Sequence, residues 1–195
     1  MIVDNNFVSL DHMTHINNLD SIFKYGLLAH NNPFKKIDIS NTEVNSRRDK
    51  KENIYGRKVH DYVPFYFNPR NAMMYRNKDE DVVILAFSRK LLIRDNVLFT
   101  NKNAAVSNVE FYNNINDLKI IKWKMLSSNS WYGRADEVKQ VMMAEVLVPD
   151  KVSINDLLGI YCKDNITKQI LISKYNLKSE YISVKPTLFF KWEKK

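Results

Sequence analysis

At 195 residues the chain is long enough to bury the core of one domain and short for two of ordinary size. Its 45% hydrophobic and 27% charged content is that of a globular protein, with no apolar run of about 18 residues to span a bilayer. The net charge of +8 favours a polyanionic partner, because Lys and Arg on phosphates release condensed counterions, although a genome rich in A and T produces the same balance without one.

The opening MIVDNNFVSLDHMTH lacks a basic region, an apolar stretch and a small-residue cleavage site, and the single Cys162 has no partner for an internal disulfide. Both lead to the expectation of a soluble cytoplasmic protein folded as one domain over residues 1–195.

Val8 to Thr14 reads as a first strand. Asn17 or Asn18 then caps a short helix whose apolar positions Leu19, Ile22 and Phe23 share a face, and Gly26 ends it. Asn31 to Lys58 is a polar connection carrying Arg47, Arg48, Lys50, Lys51, Arg57 and Lys58 around a weak helical pattern at Ile39 and Val44. Val63 to Phe67 and Asp81 to Phe87 are strand-like, separated by Asn68-Pro69-Arg70 and a short helix through Tyr75. Val97 to Thr100, Val141 to Val148 and Leu157 to Cys162 read as further strands, and Thr167 to Tyr175 as a helix. Only four glycines occur, and none forms a phosphate loop, which disfavours Rossmann and P-loop folds.

Strand alternation through VMMAEVLVP places Met143, Glu145 and Leu147 on one face and Met142, Ala144, Val146 and Val148 on the other. A carboxylate in such a run must reach solvent, pair with a cation or face a ligand cleft, so Glu145 is either structural or catalytic. Arg48 sits in Ser46-Arg47-Arg48-Asp49-Lys50-Lys51, which by pattern alone is a solvated basic face. The four histidines have no metal-ligand spacing, so no metal is expected, and Cys162 reads as an ordinary buried strand residue. The segment from His60 to Tyr75, HDYVPFYFNPRNAMMY, combines aromatics with an arginine in a way that suits stacking on bases or a nicotinamide ring. A hydrophobic strand followed by a proline-marked turn accounts for the same composition.

That segment resembles the signature of the DarT family of DNA ADP-ribosyltransferase toxins. Three others match the family in the same order: His12-Met13-Thr14-His15-Ile16-Asn17-Asn18-Leu19, the run from Leu27 to Asn31, and Ala144-Glu145. Asn45-Ser46-Arg47-Arg48 falls where the family has its arginine. The resemblance spans roughly residues 8 to 190.

It implies an α+β ADP-ribosyltransferase fold, with two packed, mainly antiparallel sheets and flanking helices around an NAD cleft. It further implies Arg48 and Glu145 as catalytic residues, and His12, Thr14, Ser21, Leu28 and Arg48 as NAD contacts. Tyr66, Met73 and Tyr75 would line the base side, and Lys50 would contact DNA, with Lys51, Arg57, Lys58, Arg134 and Lys139 tracking phosphates. NAD is then a substrate, single-stranded DNA the acceptor, and a DarG-like macrodomain antitoxin the partner of an expected monomer. Met143 stands where the family usually has glutamine, which leaves thymine or guanine as the modified base. The competing readings are a binding module for single-stranded nucleic acid without chemistry, and the same fold acting on RNA or protein.

Overall fold

A computed structural model describes residues 7–40 and 45–190; Val44, half of the weak helical pattern noted above, lies outside them. Strand β1 (Leu10–His15) passes through a 3-10 turn, Ile16–Asn18, into helix α1 (Leu19–Tyr25). Gly26 ends that helix at φ +85°, where a side chain is strained. A Cβ there would also lie 2.7 Å from Lys151 Cε and 2.9 Å from the Val152 carbonyl oxygen. The bare backbone lets β2 (Leu27–Leu28) pair with residues 151–152 directly after the turn.

Beyond the long connection come β3 (Tyr62–Tyr66), α2 (Ala72–Arg76) and β4 (Val82–Phe87). Next are β5 (Leu98–Thr100), β6 (Phe111–Tyr112), α3 (Trp123–Leu126) and α4 (Asp136–Val141). The chain then runs through β7 (Glu145–Pro149), β8 (Lys151–Val152), β9 (Leu157–Cys162), α5 (Asn165–Tyr175) and β10 (Ile182–Val184). Asp164 caps α5, accepting from Thr167 N at 2.7 Å, which starts this helix two residues before Thr167.

Eight strands form one sheet in the order β10-β9-β4-β1-β3-β7-β5-β6, and β2 with β8 forms a small second ladder. Among the described residues all pairings are antiparallel except β9 with β10, which α5 connects. Strand β4 is buried along its whole length, which explains its uninterrupted apolar sequence. The main core gathers Leu10, Phe65, Leu85, Phe87, Val146 and Ile160, with Leu27 and Val152 joining it from the small ladder.

The large sheet has a seam. Six registered pairs join β1 to β4 and five join β3 to β7, but between β1 and β3 only Asp11 and Tyr66 are in register. In a strand the N–H and C=O of one residue point toward the same neighbour, and every second residue faces it. With Tyr66 facing β1, Pro64 faces it too. Pro64 has no N–H to give, and its carbonyl accepts from Nδ1 of His12 at 2.8 Å. A side chain thus replaces the ladder, and the sheet divides into two four-stranded halves.

One strand expectation is corrected. Val141 to Val148 is not continuous: helix α4 ends at Val141 and strand β7 begins at Glu145. Val138, Val141 and Met142 are buried at helical spacing, and the chain turns through Met142 and Met143 with no Gly or Pro to mark it.

Candidate active site

A cleft of about 550 Å³ opens at the seam, lined by His12 and Thr14 of β1, Pro64 and Tyr66 of β3, and Glu145 of β7. Glu145 is fully buried. Its backbone N–H donates to Thr100 Oγ1 at 3.0 Å, which fixes the first residue of the strand.

A single nitrogen of Arg48, Nη1, donates to both carboxylate oxygens of Glu145, at 3.0 Å to Oε1 and 2.9 Å to Oε2. The Ala104 N–H donates to Oε1 at 3.1 Å. A carboxylate offers about four acceptor positions. Among the described residues, Oε2 therefore keeps one open position while Oε1 is filled. Arg48 Nη2 is buried without a hydrogen-bond partner among the described residues, and buried donors of that kind call for a ligand or water. The pair corrects the pattern-based view of Arg48 as a solvated face: its side chain is only 12% exposed and that of Glu145 1%.

His12 is held neutral, because burial drops its pKa to about 4. With Nδ1–H committed to the Pro64 carbonyl, its Nε2 presents a lone pair. Thr14 Oγ1 accepts from Asn18 Nδ2 at 3.2 Å, and Ser21 Oγ donates to the Asn18 carbonyl at 2.8 Å. Asn18, marked by the sequence only as a cap candidate, makes no side-chain cap bond to the helix and serves the cleft instead. Its buried carboxamide accepts from the N–H groups of Lys36 and Ile37, both at 2.9 Å, and pins the irregular connection along the cleft. Leu28 lines the same side from β2.

The opposite wall carries Tyr66, Met73, Tyr75 and Met143. Burial, and then the Glu145 charge, push the Tyr66 phenol far up, so it stays protonated and donates to Met73 Sδ at 3.1 Å. Tyr75 is 49% exposed and meets Trp131 and Phe190 edge-on at 5.8 and 5.2 Å. Trp131, which sequence reasoning missed, also lines the cleft, and the adjacent Tyr132 is 93% exposed.

Lys50, expected as a DNA contact, lies outside the cleft lining, and its ammonium donates to the Val106 carbonyl at 2.6 Å. Arg57 is paired with Asp150, and Lys58 with Asp49 at 3.1 Å. Arg134 is exposed and donates to Ser128 Oγ at 3.1 Å. Among the described residues, the cations on the cleft wall are Lys35, Arg47, Arg76 and Lys139 besides Arg48. Among the described residues no group of three or more His, Cys, Asp or Glu could hold a metal ion, and no helix is long and apolar enough to cross a membrane.

A buried Arg–Glu pair at the floor of a cleft between two half-sheets suits chemistry in which positive charge develops at a sugar carbon. A family model described as "ssDNA thymidine ADP-ribosyltransferase, DarT" matches residues 12–190. The chain belongs to the DarT family.

A DarT relative from Thermus sp. strain 2.9, a DNA ADP-ribosyl transferase, is 30% identical over 152 residues, covering 70% of this chain and 72% of its own. A DNA ADP-ribosyl transferase and DNA ADP-ribosyl glycohydrolase fusion protein from Thermosipho africanus is 29% identical over 94% of this chain. This chain spans about half the length of that fusion, 50%. Among solved structures, Thermus sp. 2.9 DarT in complex with ADP-ribosylated ssDNA superposes with a TM-score of 0.84 at 24% identity, covering 93% of this chain and 95% of that one. Thermosipho africanus DarTG in complex with ADP-ribose gives a TM-score of 0.80 at 28% identity, covering 94% of this chain and 51% of that one. The DarT fold is thus the α+β ADP-ribosyltransferase fold expected, built here as one large seamed sheet and one small one.

Proposed function

We propose that the chain is one domain that transfers ADP-ribose from NAD⁺ onto a base of single-stranded DNA and releases nicotinamide. The observation that carries this reading is the buried Arg48–Glu145 pair, with an open acceptor position on Glu145 Oε2 and a partnerless Nη2 on Arg48. NAD⁺ lies along His12, Thr14, Ser21 and Leu28, with Arg48 beside it. Glu145 Oε2 accepts a ribose hydroxyl, and its charge stabilises the oxocarbenium-like carbon as the bond to nicotinamide breaks. Nicotinamide leaves with that electron pair. A ring nitrogen of the base forms the new bond to the same carbon and loses its proton to solvent or to a neighbouring group. Arg48, always charged, stabilises the base as its proton departs.

The base enters between Tyr66, Met73 and Met143, and flanking bases stack on Tyr75, Trp131 and Tyr132. Lys139 and Arg76 on the wall reach the phosphates. The family description favours thymine, and Met143 makes guanine the acceptor to test beside it. Fusion of a transferase with a glycohydrolase in the Thermosipho relative supports a toxin role, with a DarG-like macrodomain antitoxin that removes the modification in the cytoplasm. The toxin itself acts as a monomer.

The decisive experiment incubates the protein with NAD⁺ and oligonucleotides rich in thymine or in guanine, with RNA and protein acceptors alongside. A mass gain of one ADP-ribose on DNA, absent in Glu145→Gln, is the expected result. DNA that binds without any mass gain would leave a binding module instead, and transfer only to RNA or protein would move the acceptor.

A further inference from the structure

We propose that the stacked histidines His30 and His60, joined through Asn45, form a clamp that positions Arg48 against Glu145 and releases it when the rings take up protons. The inference rests on the assignment of Arg48 above but concerns groups that touch no reacting atom.

The rings lie 4.4 Å apart and nearly parallel, at 17°. The Asn45 carboxamide sits between them, its Nδ2 placed 2.9 Å from His30 Nε2 and its Oδ1 2.8 Å from His60 Nε2. His60 Nδ1 also faces Asp49 Oδ1 at 3.5 Å. Asn45 and Asp49 flank Arg48 on the turn that carries it, and both meet the His60 ring. Both rings flank strands: His60 precedes β3, His30 follows β2, and the His30 N–H donates to the His60 carbonyl at 3.3 Å. The clamp therefore ties both ends of the Arg48 turn to the sheet.

One hydrogen-bond arrangement satisfies every partner with both rings neutral. Lys35 Nζ, 3.2 Å from His30 Nδ1, can only donate, so that nitrogen carries a lone pair and Nε2 of His30 carries the proton. The two ends of an amide are told apart only by their partners. As placed, His30 would face a donor at each nitrogen, so we exchange the two ends of the amide: the Asn45 oxygen then accepts from His30 Nε2–H and its NH₂ donates to the lone pair of His60 Nε2, leaving His60 Nδ1–H for Asp49. The two histidines hold opposite tautomers.

Protonation of either ring removes one of those lone pairs. The charges facing the pair are Lys35, Arg48 and Lys58, which oppose protonation, and Asp38 and Asp49, which favour it. Burial is the largest influence and lowers both rings below 6.5, the ordinary histidine value.

The test is transfer kinetics from about pH 5 to 8 for wild type, Asn45→Ala, Arg48→Ala and a His30→Gln, His60→Gln double variant, whose glutamines hydrogen bond without titrating. Asn45→Ala is expected to lower kcat by about 10- to 100-fold, as misplacement of a reacting group does. The wild-type acid limb, centred below 6.5, is expected to flatten in the double variant. Should that variant fail to fold, ¹⁵N imidazole spectra of wild type give the independent reading, with His30 as the Nε2–H tautomer and His60 as the Nδ1–H tautomer. Identical tautomers, an unchanged acid limb, or wild-type kcat in Asn45→Ala would each overturn the clamp. If Arg48→Ala is impaired while Asn45→Ala is not, only the clamp fails; if Arg48→Ala transfers normally, the assignment of Arg48 fails first.

Discussion

Tyr66 and Glu145 stand directly opposite each other on neighbouring antiparallel strands, and both line the cleft. Directly opposed residues project from the same face of a sheet, so a phenol kept protonated lies beside the carboxylate assigned to the sugar. Tyr66→Phe keeps the ring and removes the hydroxyl that donates to Met73. The expected outcome is a nearly unchanged KM for NAD⁺ and a kcat for DNA transfer lowered roughly tenfold, the rate equivalent of one hydrogen bond. Steady-state kinetics with each substrate varied in turn check it, and a rise in KM for NAD⁺ alone would move Tyr66 to the other wall.

Glu145 and Arg48 make a buried pair whose members cannot be removed with equal consequence. Glu145→Ala strands a guanidinium that is only 12% exposed and is expected to cost about 3 kcal/mol of stability. Glu145→Gln keeps the shape and leaves an acceptor for Arg48, so its melting temperature should lie well above that of the alanine variant. Both should lose transfer. Denaturation and oligonucleotide mass measurements on the two variants check this, and near-normal transfer in Glu145→Gln contradicts the assigned role.

The cations fall into two groups that salt dependence separates. Lys139 lines the cleft, whereas the Lys50 ammonium is held by the Val106 carbonyl. Lys139→Ala is expected to weaken DNA binding across sequences and to lower the salt slope by about one unit. Lys50→Ala should leave that slope unchanged. Binding titrations at several salt concentrations decide it, and the opposite pattern would return Lys50 to the DNA path.

Neighbours on β1 pull stability in opposite directions as pH changes. His12 titrates at about 4 when folded against 6.5 when unfolded, so between those values unfolding takes up a proton and stability rises with pH. Asp11, buried beside Ser9, titrates at about 7 when folded against 3.8. Between those values the folded state holds the extra proton, and stability falls as pH rises. Asp11→Asn removes the falling contribution and leaves that of His12, joined by His30 and His60 with their lowered values. The variant is therefore expected to gain stability more steeply than wild type from about pH 4 to 6.5. Above pH 7 it should exceed wild type by on the order of 2–4 kcal/mol. Urea denaturation at a series of pH values measures both slopes, and parallel curves would show that Asp11 is not buried as a neutral acid.

The strands at Val63, Val82 and Leu157 were legible because runs of β-branched and aromatic residues bounded by turn signals have few other uses. Gly26 was legible as a helix end for a similar reason. The approach to Glu145 was not: VMMAEVLV is apolar throughout, and periodicity alone cannot divide a buried helix face from a buried strand when the turn between them has no punctuating residue. In the site, a carboxylate in an apolar run marked Glu145 as needing a partner. Arg48 stood out only through a family resemblance, because nothing local separates it from Arg47 or Lys50. Asn18, Asn45 and Trp131 escaped because their meaning lies in contacts with distant segments, as when Asn18 reaches Ile37 or Asn45 reaches both His30 and His60.

Pro64 gives the cleft its permanence. An ordinary residue at that position would carry a hydrogen toward β1, and the two half-sheets would have the means to zip shut across the gap. The missing hydrogen denies them that closure, and the His12 ring occupies the one acceptor left behind. The backbone chemistry of Pro64 thus helps make the aperture part of the folded sheet. Such preorganisation moves the entropic cost of shaping a binding site from association to folding.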